Sequence, residues 1–181
     1  MGKGFTLVEL LIVIGILAVL TSAVVVVLNP AQLLAQARDS QRMSDLDAVR
    51  SSISFYLSTA TSTSLGTTAY CMASTTSGGT ACTQNSSTVV TGTGWVSVSL
   101  TQSSGGSPLS VLPTDPTNSA QYYYAYKPDD TNKTFELNGR LESVKYRDQM
   151  KTDGGDDSTC TTYTETSCYY ETGTAPGLNL F

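Results

Sequence analysis

The hydrophobic residues of this chain are concentrated in one long run near its beginning. Between Phe5 and Leu28 the only charged residue is Glu9. As an α-helix that rises about 1.5 Å per residue, this run would be roughly 36 Å long, and a bilayer core is about 30 Å thick. A secretory signal peptide has a shorter apolar core, of about 7–15 residues. The pattern therefore predicts a membrane-spanning helix over residues 5–28.

The pattern changes at Asn29 and Pro30, which interrupt the apolar run. Proline has no amide hydrogen and disfavours α geometry in the residue before it, so we expect a kink at Pro30. Beyond it, apolar residues recur at helical spacing and predict an amphipathic helix within residues 29–58. This stripe consists of Leu46, Val49, Ile53 and Leu57. The charged residues between Arg38 and Arg50 are expected on its solvated face.

The rest of the chain, residues 59–181, has the short segments typical of a β-rich head. Residues 59–94 are rich in Ser, Thr and Gly, and we expect little regular structure there. Aromatic content and alternation predict strands at Trp95–Leu100, Tyr122–Tyr126 and Thr134–Asn138. The tyrosine run could instead stack on bases or sugars. The predicted fold class is α+β.

Composition excludes several classes of function. The chain has 181 residues, a net charge of −5 and no histidine. An acidic chain is a poor partner for nucleic-acid phosphate, so we expect no nucleic-acid binding. Without histidine, Ser-His-Asp and Cys-His catalysis and the commonest metal ligand are absent. We therefore expect a protein that is not an enzyme.

Four cysteines, all after the second helix, predict two disulfides in an exported domain. Four cysteines allow three connectivities, and proximity in the sequence favours Cys71–Cys82 and Cys160–Cys168. A structural zinc site is the alternative. Neither pair has C-x-x-C spacing, so disulfides are favoured.

The segment Gly4-Phe5-Thr6-Leu7-Val8-Glu9 closely resembles the class III leader junction of type IV pilins and type II secretion pseudopilins. The resemblance implies that residues 1–4 are a leader. A prepilin peptidase would cleave between Gly4 and Phe5, and the new amino terminus on Phe5 would be N-methylated. Cleavage before the apolar run would leave the whole helix in the mature chain.

The resemblance also gives roles to Glu9, Gly15 and Pro30. Near a helix start, a carboxylate favours the macrodipole and needs no further partner. In a filament core it would need one, and the family supplies the terminal amine of a neighbouring subunit, here on Phe5. The helix between Gly15 and Pro30 would unwind in the filament. A simple kink at the membrane surface is the alternative.

The head is similar to that of the major type II secretion pseudopilin. The similarity lies in Leu112-Pro113-Thr114-Asp115-Pro116, a tyrosine-rich strand and Phe135-Glu136-Leu137-Asn138. It implies a long kinked helix packed on a small antiparallel β-sheet. The turn continues with Thr117-Asn118 and lacks the aromatic residue and glycine usual in secretion pseudopilins, which favours a pilus subunit.

An acidic, glycine-containing segment near the end of the chain is a candidate calcium site. Its carboxylates are Asp153, Asp156 and Asp157. Calcium prefers oxygen ligands, although the spacing is not that of an EF-hand loop. Major pseudopilins bind calcium in a C-terminal loop, so the resemblance supports the site. A solvated acidic turn is the alternative.

The sequence thus predicts a filament subunit that is stored in the cytoplasmic membrane and then exposed at the cell surface. Its expected partners are other copies of itself, a prepilin peptidase and an assembly platform with a cytoplasmic ATPase. One alternative is a pseudopilin of a type II secretion system. Another is a minor tip pilin that binds DNA or a surface ligand, with a basic patch made of Lys127, Lys133, Arg140, Lys145, Arg147 and Lys151.

Overall fold

A computed structural model describes residues 4–73, 82–163 and 167–181. Most of the predicted leader, residues 1–3, and part of the predicted irregular segment, residues 74–81, lie outside the described residues. The chain divides into two compact units, Met1–Ala35 and Gln36–Phe181. The described elements are helices α1 (Leu7–Leu28) and α2 (Pro30–Thr59), and strands β1 (Tyr70–Cys71), β2 (Thr83–Gln84), β3 (Ala125–Asp129), β4 (Thr134–Gly139) and β5 (Tyr170–Gly173). Three 3₁₀ turns lie at Leu100–Gln102, Arg147–Lys151 and Pro176–Leu178.

The two helices are separated by one residue, Asn29. It adopts a left-handed conformation, with φ 40° and ψ 75°. Its carbonyl oxygen accepts the amide hydrogen of Gln32 at 2.9 Å. Pro30 opens α2, a position where its missing N–H costs nothing because the first helical amides have no partner inside the helix. The interruption thus falls where the sequence changes pattern.

The five strands form one sheet in the order β2-β1-β3-β4-β5. The α+β class is therefore confirmed. The sheet is mixed rather than wholly antiparallel, because β1 and β2 pair in parallel. The remaining pairs are antiparallel and place Tyr126 opposite Leu137, and Asn138 opposite Glu171. The Cys71–Cys82 disulfide holds the end of β1 beside the start of β2.

The main core lies between α2 and one face of this sheet. Leu46, Val49 and Ile53 are fully buried, which confirms the predicted apolar stripe, and Leu57 packs against its edge. Their partners from the sheet and the loops include Trp95, Tyr124, Tyr126, Phe135 and Leu137. Trp95 donates its ring N–H to the carbonyl oxygen of Pro113 at 3.0 Å, so its polar atom is satisfied in the core.

Two strand predictions were wrong in position. Trp95–Leu100 forms bends and the start of a 3₁₀ turn, with a single bridge between Thr91 and Ser99. The adjacent residues Trp95 and Val96 are both buried, which a strand with one solvated face does not allow. β3 begins three residues later than expected, because Tyr122 belongs to the preceding bend, where its carbonyl oxygen accepts the amide hydrogen of Ser119 at 2.8 Å. The segment expected to be irregular contains β1 and β2.

Candidate assembly site on the N-terminal helix

Thr6 and Glu9 form a reciprocal cap at the start of α1. The amide N–H of Glu9 donates to Thr6 Oγ1 at 3.2 Å, and that of Thr6 donates to Glu9 Oε2 at 2.9 Å. The Thr6 hydroxyl also donates to Oε2, at 2.7 Å. This capping box satisfies two amides that have no partner inside the helix, and it holds a negative charge at the positive end of the helix dipole. The carboxylate of Glu9 is therefore stable without a counterion in a single chain.

The predicted cleavage bond lies just before this cap. Gly4 and Phe5 are exposed and are not helical, and 80% of the Phe5 surface is accessible. A peptidase can therefore reach the bond between them without unwinding α1. Cleavage there would leave the Thr6–Glu9 cap intact and would place a new amino group one residue before Thr6.

The surface of α1 is apolar over most of its length. Its described large hydrophobic side chains are between 46% and 82% exposed, and Leu7–Val25 is long and apolar enough to span a membrane. Thr21 donates its hydroxyl to the carbonyl oxygen of Leu17 at 2.6 Å, and Ser22 donates to that of Val19 at 2.8 Å. These hydroxyls therefore need no water. So much exposed apolar surface requires either lipid or other helices around it.

Gly15 lies within α1, and a Cβ atom added there would meet no heavy atom within 4 Å. Its lack of a side chain thus serves no contact in the described chain, whereas small residues let membrane helices approach one another closely. Pro30 is the first residue of α2. The predicted unwinding between these two residues stays a prediction.

The four cysteines are joined as Cys71–Cys82 and Cys160–Cys168, with Cα–Cα distances of 5.6 and 5.0 Å. The paired cysteines are 11 and 8 residues apart in the sequence, so each disulfide closes a short loop. Short loops of this size stabilise a domain by about 2–3 kcal/mol each in the chain-entropy account. Both disulfides lie in unit Gln36–Phe181.

The predicted calcium residues share one loop but do not form an obvious cage. Both carboxylate oxygens of Asp153 accept backbone N–H groups, from Gly155 at 3.1 Å and from Glu171 at 2.9 Å. Asp156 is exposed and Asp157 is half-buried. In the described part of the chain, no group of three His, Cys, Asp or Glu side chains is placed to hold a metal ion. Calcium binding stays a prediction, and the bonds of Asp153 count against it.

The sequence did not predict a buried ion network around Arg42, which was expected on a solvated face. Arg42 Nε lies 2.7 Å from Asp115 Oδ2, and Nη1 lies 2.8 Å from Asp39 Oδ1 and 2.7 Å from Glu142 Oε1. The side chains of Arg42, Asp39 and Asp115 have no exposed surface. Nη2 also donates to Thr117 Oγ1 at 3.0 Å. Arg42 thereby joins α2 to two distant loops.

The carboxylates of this network also organise the loops themselves. Asp39 accepts the amide hydrogens of Glu142 and Ser143, at 3.0 and 2.7 Å. Asp115 Oδ1 accepts those of Thr117 and Asn118, at 2.8 and 3.0 Å. The turn at Asp115 and Pro116 is thus fixed to α2 by its aspartate. Charged residues at i, i+3 spacing were the only sequence signal of this network.

The residues of the alternative basic patch are mostly engaged within the chain. Lys133 pairs with Asp130 at 2.8 Å, and Lys151 pairs with Asp148 at 3.3 Å. Arg140 is buried and lies over the ring of Tyr169 at 4.6 Å. These contacts weaken the interpretation of the six cations as a DNA-binding surface.

Residues 2–25 match the family model described as the prokaryotic N-terminal methylation motif. Comparison of the chain with curated proteins and with solved structures gave no match. The matched residues include Gly4, Phe5, the Thr6–Glu9 cap and most of α1. The motif marks pilin-like structural proteins rather than an enzyme family. The chain therefore carries the class III leader that is the signal of type IV pilins and pseudopilins.

Proposed function

We propose that this protein is the structural subunit of a type IV pilus-like filament, stored in the cytoplasmic membrane and polymerised through α1. One observation carries the proposal: the methylation motif lies on a helix whose described large hydrophobic side chains are all exposed. Such a surface suits lipid before assembly and neighbouring helices afterwards. The same residues can therefore serve as membrane anchor and as polymerisation surface.

Assembly changes what stabilises the charge of Glu9. In one chain, the cap with Thr6 and the helix dipole stabilise its charge. Among packed helices from which water is excluded, an unpaired carboxylate costs several kcal/mol, so a cationic partner becomes valuable. Both bonds from Thr6 end on Oε2. Oε1 is thus available, within the described residues, to accept from the amine that cleavage creates on Phe5 of a neighbouring copy.

The other partners follow from this route. A prepilin peptidase would remove the leader and methylate Phe5, and an assembly platform with a cytoplasmic ATPase would extract the subunit from the membrane. The filament would then project from the cell surface. In this proposal the protein catalyses nothing, and its function is assembly.

The first test is the intact mass and N-terminal sequence of the protein in fractions sheared from the cell surface. We expect a chain that starts at Phe5 and is one methyl group heavier than its sequence. A chain that retains Met1 and occurs only in membranes would refute the proposal. Electron microscopy of the same fractions separates long surface filaments from the short periplasmic fibre of a secretion pseudopilin, which carries the same motif.

The second test is Glu9→Ala. We expect filament yield to fall at least tenfold with little change in the amount of membrane-stored subunit, because the charge pair forms only between subunits. Thr6→Ala is the matched control, since it removes the side-chain bonds of the cap, worth about 1 kcal/mol, and keeps the carboxylate. Wild-type filament yield from Glu9→Ala would contradict the proposed role of Glu9.

A further inference from the structure

The chain contains two Asn-x-Ser/Thr triplets, the pattern that accepts N-linked glycans in exported proteins. They are Asn85-Ser86-Ser87 and Asn132-Lys133-Thr134. The triplet alone does not identify a glycosylated residue, because many triplets are unmodified. A transferase needs a side-chain amide that is exposed and that can leave its contacts in the fold. The structure separates the two asparagines by this requirement.

Asn85 is held within the fold. Its side-chain amide donates to the carbonyl oxygens of Gly94 at 2.8 Å and of Thr93 at 3.3 Å. Its Oδ1 accepts the amide hydrogen of Ser87 at 3.0 Å, and its backbone N–H donates to the carbonyl oxygen of Cys71 at 2.8 Å. A sugar on the side-chain nitrogen of Asn85 would displace the contacts that join it to residues 93 and 94. The geometry therefore disfavours this triplet.

Asn132 lies at the tip of the hairpin between β3 and β4, and it is exposed. Its side-chain amide donates to Asp129 Oδ2 at 2.6 Å. The backbone N–H groups of Thr131 and Asn132 both donate to Asp129 Oδ1 at 3.0 Å. All three bonds lie within the tip, and exposed local bonds of this kind can open without disturbing the core. Asn132 is thus accessible to a modifying enzyme.

The tip is anchored by other side chains. Lys133 Nζ donates to the carbonyl oxygen of Thr63 at 3.0 Å, and Asp130 Oδ1 accepts the amide hydrogen of Leu65 at 2.6 Å. These contacts tie the hairpin to the segment that follows α2, and none of them uses the side chain of Asn132. The hairpin therefore stays attached to the fold when the amide of Asn132 leaves Asp129.

A groove of about 570 Å³ lies beside this amide. Asn132 and Thr134 line it together with Pro176, Asn179 and Leu180 of the C-terminal segment. Small-molecule sites have volumes of about 300–1,000 Å³ and combine apolar surface with a few polar groups. A sugar ring has the matching chemistry, since it presents C–H faces as well as hydroxyls. A sugar joined to Asn132 would begin at this groove.

We propose that Asn132 carries an N-linked glycan whose first sugar lies in this groove. The donor is a lipid-diphosphate-linked sugar at the outer face of the cytoplasmic membrane, and the catalyst is a membrane-bound oligosaccharyltransferase. A bond forms between Asn132 Nδ2 and the anomeric carbon, and the bond from that carbon to the diphosphate oxygen breaks. The lipid diphosphate leaves with the electron pair, and the amide gives one proton to a base of the transferase. No oxidant or reductant is required.

The inference goes beyond assembly and depends on only one part of the proposed function. The transferase meets Asn132 if the unit Gln36–Phe181 is exported while α1 stays in the membrane. It does not require the subunit to polymerise. Glycosylation and filament formation can therefore be measured separately.

The test uses the wild-type protein from its own cells, denatured and cleaved before its aspartates. This cleavage places Asn132 in residues 130–147 and Asn85 in residues 47–114, so each triplet lies in its own peptide. By mass spectrometry we expect a glycan on the peptide 130–147. An amidase that removes N-linked glycans should release it and leave an aspartate in place of Asn132. An unmodified Asn132 would overturn the inference, whether the chain is bare or carries its sugar on Asn85, on a serine or on a threonine.

Two substitutions at Thr134 test whether the modification uses the triplet. Thr134→Val keeps the β-branched shape at the start of β4 but removes the hydroxyl that the triplet requires, so we expect glycan occupancy to fall at least tenfold. Thr134→Ser is the matched control, because it keeps the acceptor pattern and should remain glycosylated. Wild-type occupancy in Thr134→Val would overturn the inference. The measurement on the wild-type chain stands even if a variant fails to fold.

The position of the first sugar has its own readout. In the glycosylated wild-type chain in detergent micelles, proton NMR should show contacts between that sugar and the methyl groups of Leu180. A sugar without such contacts would overturn its placement in the groove.

The outcomes also separate this inference from the proposed function. A chain that starts at Phe5, forms filaments and carries a bare Asn132 would overturn the inference and leave the proposed function standing. A chain that is glycosylated on Asn132 but never forms filaments would support the inference and contradict the proposed function.

Discussion

The unit Gln36–Phe181 buries two groups of charged side chains and neutralises them differently. In the first group Arg42 lies within 2.8 Å of three carboxylates, those of Asp39, Asp115 and Glu142. In the second, Glu136 and Glu171 lie together and are surrounded by further acids. The first group uses a guanidinium as the counterion, whereas in the second burial raises the pKa of both glutamates.

Both groups contain buried carboxyls, yet the stability that the two groups contribute depends on pH in opposite directions. A carboxylate paired with arginine stabilises the fold only while it is ionised, so acid weakens it. A carboxyl whose pKa is raised by burial stabilises the fold while it is protonated, and this contribution is lost as pH rises.

Among the substitutions that test this comparison, Arg42→Met should lower the free energy of unfolding most. It keeps much of the side-chain volume but leaves Asp39 and Asp115 buried without a cation. Removing one partner of a buried pair typically costs 3–5 kcal/mol, so we expect a loss of about that size in the free energy of unfolding. Denaturant unfolding of the full chain in micelles at pH 7 measures it.

Arg42→Lys is the matched control, because it restores the charge without the planar fork that contacts Asp115 through two nitrogens. We expect an intermediate loss. If Arg42→Met were as stable as the wild type, the network would have no net role in holding α2 to its loops.

The sequence predicted α1 because a membrane-spanning helix depends on local pattern. An almost uninterrupted apolar run is visible without knowledge of distant contacts. The roles of Phe5 and Glu9 in assembly stay predictions, and the Thr6–Glu9 cap was not predicted. The stripe of Leu46, Val49 and Ile53 was visible for the same reason. Helical period alone identifies which face of α2 is buried.

The two buried groups could not be predicted in this way. Arg42 meets Asp115 and Glu142 across 73 and 100 residues, and no local pattern reveals that loops will cover a charged face of a helix. Phe135-Glu136-Leu137-Asn138 alternates like a strand with one solvated face. Glu136 is nevertheless buried, and Leu180, near the end of the sequence, returns to donate its amide hydrogen to it.

Acid should weaken the Arg42 group by a smaller amount. Burial opposes the charged form of Glu142, but hydrogen bonds from Arg38 and Arg42 outweigh it and lower the pKa of Glu142 below 4.5. The stability that this group contributes is therefore present above pH 4.5 and is lost as pH falls through the folded value. We expect Glu142→Gln to be about 1–2 kcal/mol less stable than wild type at pH 6, with a smaller difference at pH 3. An equal difference in stability at pH 6 and pH 3 would show that the charge of Glu142 contributes nothing to the stability of the fold.

Arg38→Gln should have a smaller effect than these substitutions, although Arg38 makes two short bonds to the same Glu142, at 2.6 and 2.9 Å. The Arg38 side chain is 36% exposed, so water can replace much of what the ion pair provides. We expect a loss of at most about 1 kcal/mol, measured by denaturant unfolding at pH 7 and reduced by added salt. Arg50→Ala, which breaks the exposed pair with Asp47, sets the baseline for a solvated helix pair at a few tenths of a kcal/mol. If Arg38→Gln cost as much as Arg42→Met, burial would not decide the contribution of an arginine here, and the distinction between the two kinds of charged group would lose its physical basis.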